Sequence, residues 1–353
     1  MPRLYEPHPA ALTALYGDIE NFARAQGMAL PGTPGSVLER RNAGGYKFYA
    51  HQYYEATGKK VEKYLAGPVG DARADAKAQE LRERIMSLGE TVRSIRLLTR
   101  EGFKIADAKT YATVASLYNH QIFQAGASLV GSHAYGALLN QLGVRAAQYA
   151  TKDVDIARNA QLAFETAPQL SFLEMLKTSG IAFFEVPNLN KRKPGTSFKE
   201  AGSSFFQVDL LVPSATDAIQ IAPVPELKAH ATALPYLRYL LGDTQEITIL
   251  AREGCCMVRV PAPERFALHK LIVSQLRKGG GKAIKDVGQA SVLFAVLADR
   301  HPGALADAAK AVPLSARKHV TKAAVLARQN LASHPRAIEA LDAILEDSAQ
   351  KDR

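Results

Sequence analysis

Cysteine is scarce in this chain: the only two, Cys255 and Cys256, are adjacent. A disulfide between neighbouring residues is strained, so this pair does not form a disulfide framework. One such pair without a second is also a poor set of zinc ligands. A reducing cytoplasm is therefore the simplest setting for the protein.

Long apolar runs are lacking as well. No stretch approaches the roughly 20 apolar residues that a membrane-spanning helix needs. The N-terminal sequence MPRLYEPHPAAL has no apolar core of the kind a signal peptide carries, so we expect no export. At 353 residues and 47% hydrophobic composition, the chain is long enough for two or three domains with substantial cores.

Acidic residues are in the minority. The sequence has 34 Asp and Glu against 44 Lys and Arg, which gives a net charge of +10. An excess of positive charge favours polyanionic partners such as nucleic acid or nucleotides, without locating a site. The alternative is a well-solvated basic enzyme.

Hydrophobic periodicity and turn residues predict an α+β protein with a mixed β-sheet and flanking helices. An amphipathic helix over 7–27 precedes a small β-meander, and helices follow over 72–100 and 108–120. Alternating helices and strands then form a compact unit, which strands near 246–251 and 255–260 are predicted to extend. From Pro263 the pattern is helical. We expect three parts: an N-terminal helical and β-meander region (1–120), a catalytic domain (121–261) and a C-terminal helical domain (262–353).

Two carboxylates lie on the predicted strand KDVDIAR. Because side chains alternate along a strand, Asp153 and Asp155 share one face while Val154 and Ile156 turn into the core. Carboxylates so close repel each other unless a cation lies between them. Magnesium suits such a pair, since it binds one or two carboxylates together with substrate phosphates. The alternative is a solvated strand end.

A third carboxylate, Asp209, lies inside the apolar strand FFQVDLLVP. A charged Asp is almost never fully buried unless it is paired or bound to a metal. It could bind a second metal ion and activate an attacking hydroxyl, as two-metal phosphoryl chemistry requires. An ion pair with one of the many basic residues is the alternative.

A small-residue turn, Gly131-Ser132, is predicted between a strand and a helix. Glycine lets the backbone approach a phosphate closely, and a serine at a helix start offers a hydroxyl and free N–H donors. The alternative is that Ser132 only caps the helix.

Three segments, GSHAYGALLNQLG, KDVDI and FFQVDLL, together resemble the nucleotidyltransferase fold of the DNA polymerase beta superfamily. The signature of that superfamily is Gly-Ser, then Asp-x-Asp, then a third Asp on a neighbouring strand. The likeness is to the minimal bacterial nucleotidyltransferases, including nucleotidyltransferase-like toxins, and it covers roughly 121–300. The chain departs from the superfamily in a longer spacing between Ser132 and Asp153, which contains QLGVRAAQYATK.

The resemblance implies a nucleotide site and a metal site. Two Mg²⁺ (or Mn²⁺) ions would be held by Asp153, Asp155 and Asp209, which are also catalytic. A nucleoside triphosphate such as ATP would bind at Gly131 and Ser132. Helices that follow the sheet in such enzymes often carry a Lys and then a Lys-Asp pair. In this sequence those residues are Lys270, a nucleotide-binding and catalytic candidate, and Lys285 with Asp286, two further nucleotide-binding candidates.

Each of these helical residues has an alternative role. Lys270 could neutralise a triphosphate or be an ordinary outward-facing lysine. Asp286 could position Lys270 or a substrate hydroxyl, or it could pair with Lys282 one turn earlier. We expect His269 to be structural rather than catalytic.

Basic and aromatic residues alternate in the β-meander, as they do on stacking surfaces for single-stranded nucleic acid. They are equally typical of the core and solvated face of a small sheet. The loop KRKPG at 191–195 is a second candidate for phosphate contact, or else only a connecting loop.

These observations predict a metal-dependent nucleotidyltransferase that moves a nucleoside monophosphate from a triphosphate to an acceptor hydroxyl and releases pyrophosphate. An RNA or tRNA end is the favoured acceptor, and a protein or a small molecule is possible. The alternative is a catalytically inactive protein of the same fold that binds nucleic acid as a regulator.

Overall fold

Helices and strands form the predicted α+β architecture in the computed structural model, which describes residues 3–147, 152–190, 192–277 and 280–351. The helices before the last strand are α1 (Ala10–Ala25), α2 (Ala72–Arg100), α3 (Ala108–Asn119), α4 (Gly131–Gln141), α5 (Phe172–Lys177) and α6 (Leu237–Leu240). Those after it are α7 (Pro263–Ser274), α8 (Gly280–Arg300), α9 (Ala304–Lys310), α10 (Leu314–Asn330) and α11 (Pro335–Lys351).

The strands fall into one large and several small sheets. They are β1 (Tyr5–Pro7), β2 (Ser36–Arg41), β3 (Lys47–Tyr54), β4 (Lys60–Ala66), β5 (Ala127–Val130), β6 (Val144–Ala146) and β7 (Asp153–Arg158). They continue with β8 (Phe183–Glu185), β9 (Ser197–Glu200), β10 (Gln207–Pro213), β11 (Gln220–Val224), β12 (Ala229–Leu234), β13 (Thr244–Leu250) and β14 (Cys255–Pro261).

The central sheet is mixed, as predicted. Its main path runs β11-β12-β10-β7-β5, and β9 joins β10 while β8 joins β9. Strand β10 is parallel to both β7 and β12, whereas β5 and β9 run antiparallel to their neighbours. Strands β11 and β12 form a hairpin that the sequence pattern did not predict.

Burial alternates along the two middle strands. Val154 and Ile156 of β7, and Val208 and Leu210 of β10, are buried in the core. The carboxylates at the intervening positions therefore point to the opposite face of the sheet. On the core side, α5 closes the layer, and Phe172 meets Phe198 of β9 edge-on. One face of the sheet is thus filled by core packing, and the other carries the polar side chains.

The prediction that strands near 246–251 and 255–260 extend the central sheet is wrong. Strands β13 and β14 pair with each other along their whole length as a separate two-stranded sheet. Their apolar side chains pack against β5, α1 and α3 instead of adding a hydrogen-bonded strand to the sheet. The meander β2-β3-β4 forms a third, antiparallel sheet, as expected.

Helix α7 lies across a cavity from the polar side of the central sheet. It begins with Pro263 in its first turn, is buried from Phe266 to Ile272, and packs against α8, α9 and α10. The largest core continues from Tyr16 to Ile344, so α1 shares it with these helices. Within the described ranges, no helix is long and apolar enough to cross a membrane.

Candidate active site

Two of the three predicted carboxylates lie side by side. Strands β7 and β10 are parallel, with Asp155 in register with Asp209 and Asp153 in register with Gln207. Residues paired across adjacent strands lie about 4.8 Å apart and point to the same face. Asp155 and Asp209 therefore face one cavity together, and both line it. Asp153 lies at the start of β7 and is exposed.

Burial, and after it the negative charge of Asp209, raise the pKa of Asp155 from 3.8 to about 7. The positive charge of Lys270 acts in the opposite direction. A carboxylate that is half protonated near neutral pH is unusual, and such groups concentrate at functional sites. The pair is electrostatically unfavourable as long as both members are ionised.

Hydrogen bonds fix one oxygen of Asp209. Its Oδ1 accepts a hydrogen bond from Gln207 Nε2 at 2.8 Å, and a second one from the hydroxyl of Ser197. Strand β9 places Ser197 directly opposite Asp209. No hydrogen bond from a described residue reaches Oδ2, so this oxygen can take up a proton or a cation.

Ser197 and Gln207 were not predicted as site residues. Gln207 could have been found, because it precedes Asp209 by two positions and so shares its strand face. Ser197 gave no local signal, since only the pairing of β9 with β10 brings it to the carboxylate.

Gly131 lies against the carboxylate of Asp155. Val130 is in register with Asp155 in the antiparallel pair β5–β7, and the chain turns into α4 at the next residue. Gly131 has φ +69°, and a Cβ there would collide with Asp155 Oδ2. Glycine is therefore needed both for the backbone conformation and for the close approach of the carboxylate.

Ser132 is not the helix cap. Helix α4 begins at Gly131 with Val130 in the cap position, and no side chain caps it. Ser132 and His133 line a neighbouring cavity of about 380 Å³ rather than the cavity of the carboxylates. Burial lowers the pKa of His133 to about 4, so this ring is neutral. The structure thus brings Gly131, but not Ser132, into contact with the carboxylate pair.

Lys270 forms a buried ion pair on the opposite wall of the cavity. Its Nζ lies 2.7 Å from Asp286 Oδ1, and Arg277 Nε lies 3.2 Å from Asp286 Oδ2. Lys270 is only 7% exposed and Asp286 only 2%. Lys270 is therefore not an ordinary outward-facing lysine. Asp286 pairs with Lys270 and Arg277, and the alternative pairing with Lys282 is wrong.

Lys285 and His269 lie beside this ion pair. Burial lowers the pKa of Lys285, as does the neighbouring charge of Lys270, while the charges of Asp286, Asp153 and Asp155 oppose this effect. Burial also lowers the pKa of His269 to about 3, so the imidazole stays neutral. A neutral, buried His269 fits the expected structural role.

The cavity between the two walls has a volume of about 450 Å³. Ligand pockets for small molecules and cofactors are typically of this size, mostly apolar with a few convergent polar groups. Here the polar groups are the carboxylates, Lys270 and Arg277. The apolar wall is formed by residues from the three elements β10, α6 and α7: Leu211, Leu237, Leu240, Phe266 and Val273.

A divalent cation fits the carboxylate pair. Two adjacent, half-buried carboxylates, one with a raised pKa, form a set of hard oxygen donors that Mg²⁺ or Mn²⁺ would stabilise. Within the parts of the chain that the structure describes, no three His, Cys, Asp or Glu side chains form a ready metal-binding group. Asp155 and Asp209 could hold such a cation between them, and Asp153 stays a predicted third ligand.

Comparison with known proteins identifies a family. A family model described as Nucleotidyltransferase matches residues 108–313, a span that contains every site residue from Gly131 to Asp286. Searches of the curated proteins and of the solved structures returned no significant match.

Proposed function

Since the chain belongs to this nucleotidyltransferase family, we propose that it transfers a nucleoside monophosphate from a nucleoside triphosphate to an acceptor hydroxyl. Pyrophosphate is the second product, and an RNA or tRNA end is the favoured acceptor, ahead of a protein or a small molecule. The observation that carries this proposal is the in-register pair Asp155 and Asp209 beside a cavity with a buried lysine. We place the protein in the cytoplasm. Within the chain, we assign the activity to a central part (121–261), which is flanked by the regions 1–120 and 262–353.

Both walls of the cavity contribute to the binding of the triphosphate. Lys270 and Lys285 supply positive charge to the phosphates, and Gly131 lets the backbone approach them. Phe266 and Val273 offer apolar surface to the nucleoside. Two divalent ions, when bound by Asp153, Asp155 and Asp209, would neutralise phosphate charge and polarise the reacting phosphorus.

The carboxylates organise the transfer itself. Asp209 takes the proton of the acceptor hydroxyl on Oδ2 while Ser197 and Gln207 hold Oδ1 in place. The acceptor oxygen forms a bond to the α-phosphorus, and the bond from that phosphorus to the bridging oxygen breaks. Pyrophosphate leaves with the bonding electrons, and Lys270 stabilises its charge.

Removal of the carboxylate of Asp209 or of Asp153 tests the proposal. We expect Asp209→Ala to lower transfer by on the order of 10²–10⁴, the usual contribution of a general base, and Asp153→Ala to have a similar effect. Incubation with four labelled triphosphates, total cellular RNA and protein would show which nucleotide is joined to which fraction. Thermal melting monitors the fold, and near-normal turnover of a folded variant would refute the assignment.

Calorimetry separates this enzyme from an inactive binding protein on the same scaffold. We expect triphosphate binding that depends on Mg²⁺ and that Asp155→Asn weakens. A regulator that only binds nucleic acid would show no such binding.

A further inference from the structure

The face of the sheet that carries the carboxylates continues past Asp209 to a second group of side chains. Ser197 of β9 is in register with Asp209, and Lys199 is in register with Gln207. On the next strand, Phe184 is in register with Lys199. Paired residues point to the same face. Lys199 and Phe184 therefore lie on the surface that holds the catalytic carboxylates.

Phe205 lies beside Lys199 and is 73% exposed. Its neighbour Phe206 is buried against Phe183, so Phe206 supplies the packing at this point of the chain. The ring centroid of Phe205 is 5.8 Å from Lys152 Nζ and 5.6 Å from Lys199 Nζ. A large apolar ring held in water between two cations contributes little to the core, and this arrangement suits a ligand that both stacks and carries negative charge.

The two lysines are available to such a ligand. Neither Lys152 nor Lys199 has a carboxylate within salt-bridge distance among the described residues, unlike Lys109, whose Nζ lies 2.6 Å from Glu200. We name the four side chains Lys152, Phe184, Lys199 and Phe205 the Phe205 patch. Phe184 is also exposed, at 41%. The patch therefore combines two exposed rings with two cations next to Asp153 and Asp209.

We propose that the Phe205 patch binds the single-stranded end of a nucleic-acid acceptor. A base stacks on Phe205, and backbone phosphates contact Lys152 and Lys199, so that the terminal hydroxyl reaches Asp209. This combination of aromatic rings and a positive groove is how proteins hold single strands without reading their sequence. The net charge of +10 supports a polyanion over a protein acceptor. The inference rests on the proposed nucleotidyl transfer and specifies its acceptor.

The β-meander is the competing surface, and its exposed rings, Tyr64 at 61% and Tyr54 at 50%, are less exposed than Phe205. Arg40 makes two 2.8 Å hydrogen bonds to the two oxygens of Glu62. Lys63 lies 5.4 Å from the ring of Tyr53, which is only 8% exposed. Tyr64 is exposed, but it packs on Phe48 with ring centroids 5.6 Å apart. The meander thus provides matched control positions. In the other candidate loop, KRKPG, Lys191 lies outside the described residues.

Fluorescence anisotropy with a labelled single-stranded RNA of about 12 nucleotides tests the proposal, since single strands occupy about 4–16 nucleotides on such surfaces. No triphosphate is present, so binding is measured apart from catalysis. We expect Phe205→Ala to weaken binding roughly 5- to 100-fold, as the loss of one stacked base does. Phe205→Tyr should keep the wild-type affinity, because it keeps the ring. Phe205→Leu should bind RNA about as weakly as Phe205→Ala does.

Charge variants give a second readout. We expect Lys199→Gln to reduce the slope of log affinity against log salt by about 0.7, the value for one phosphate contact on a single strand. Tyr64→Ala and Lys63→Gln, which remove an exposed ring and a lysine charge on the meander, should leave affinity and slope unchanged.

The outcomes separate the two proposals. Normal RNA binding by Phe205→Ala, or a loss confined to the meander variants, would overturn the Phe205 patch while leaving nucleotidyl transfer intact. Label that accumulates only on protein would also overturn it. Weak binding by Phe205→Ala together with no transfer by the wild-type enzyme would support the patch and refute the proposed function.

Discussion

Two groups of charges face each other across the same cavity and differ in how they are balanced. On the helix wall, Lys270 and Asp286 form a buried ion pair at 2.7 Å, to which Arg277 adds a second positive charge. On the sheet wall, Asp155 and Asp209 carry charges of the same sign, and the pKa of Asp155 is raised to about 7. The carboxylate on the helix wall is balanced by positive charges of the protein, whereas the two carboxylates on the sheet wall repel each other.

This difference indicates which wall is built for a ligand. A buried ion pair with well-placed hydrogen bonds needs no external partner, although its net contribution to stability is often small. A pair of half-buried carboxylates is unfavourable until a cation or proton joins it. Proteins tolerate such local conflict mainly at functional sites. We therefore expect the ligand to bind at the sheet wall, with Lys270 held beside it by its ion pair with Asp286.

The largest stability effect should come from breaking the helix wall. Replacing Lys270 by Met removes the 2.7 Å partner of the buried Asp286 carboxylate and leaves it with the partly exposed Arg277. We expect the free energy of unfolding to fall by about 3–5 kcal/mol, as it does when one member of a buried pair is removed. Urea unfolding with circular dichroism measures it.

The double variant Lys270→Met, Asp286→Leu is the matched control. It removes both charges, so stability should return close to that of the wild-type protein. Transfer activity should stay low, because the triphosphate then lacks the Lys270 charge. Recovery of activity together with stability would show that Lys270 only supports the fold.

Removing the charge repulsion on the sheet wall should have a smaller effect of the opposite sign on stability. At pH 8, Asp155→Asn removes a buried negative charge next to Asp209, so we expect stability to rise by roughly 2–3 kcal/mol. Each pKa unit corresponds to about 1.4 kcal/mol, and residual hydration of the carboxylate offsets part of the gain. Transfer should be lost. Thermal or urea unfolding between pH 4 and pH 8 measures the change.

The pH dependence has a defined sign. The folded protein keeps the proton of Asp155 up to a pKa of about 7, whereas the unfolded chain loses it near the ordinary value of 3.8. The contribution of Asp155 to stability is therefore lost as the pH rises from about 4 through 7, and Asp155→Asn should lack this component. Asp153→Asn is the control at an exposed position. An equal stabilisation by Asp153→Asn would contradict the account.

The sequence predicted most of the secondary structure around the site. The alternation in KDVDIAR correctly predicted a strand with Asp153 and Asp155 turned away from the core, and FFQVDLLVP correctly predicted the strand that carries Asp209. Helix periodicity located α2, α7 and α8, whose apolar positions repeat without interruption. These features depend on local patterns, which is why one sequence suffices to find them. The division into 1–120, 121–261 and 262–353 stays a prediction.

What the sequence could not predict depends on pairing between distant segments. The contact of Ser197 with Asp209 exists only because β9 joins β10. The separate hairpin β13–β14 has the same local pattern as a strand of the main sheet, so its wrong placement could not be detected locally. Likewise, spacing along α7 and α8 allowed Asp286 to pair with Lys282, and only packing of the two helices selected Lys270.

The smallest of these effects concerns Gly131, which connects the helix start to the sheet wall. Gly131→Ala would place a methyl group against Asp155 Oδ2 at a positive φ. Gly58 also has a positive φ, of +82°, but no atom lies within reach of its Cβ, so Gly58→Ala measures the backbone cost alone. We expect both to lose about 1–2 kcal/mol, with Gly131→Ala the larger loss. Only Gly131→Ala should also weaken triphosphate binding, because it displaces Asp155. If the additional loss persisted in the double variant Gly131→Ala, Asp155→Ala, where the carboxylate is gone, the contact between Gly131 and Asp155 would not be its cause.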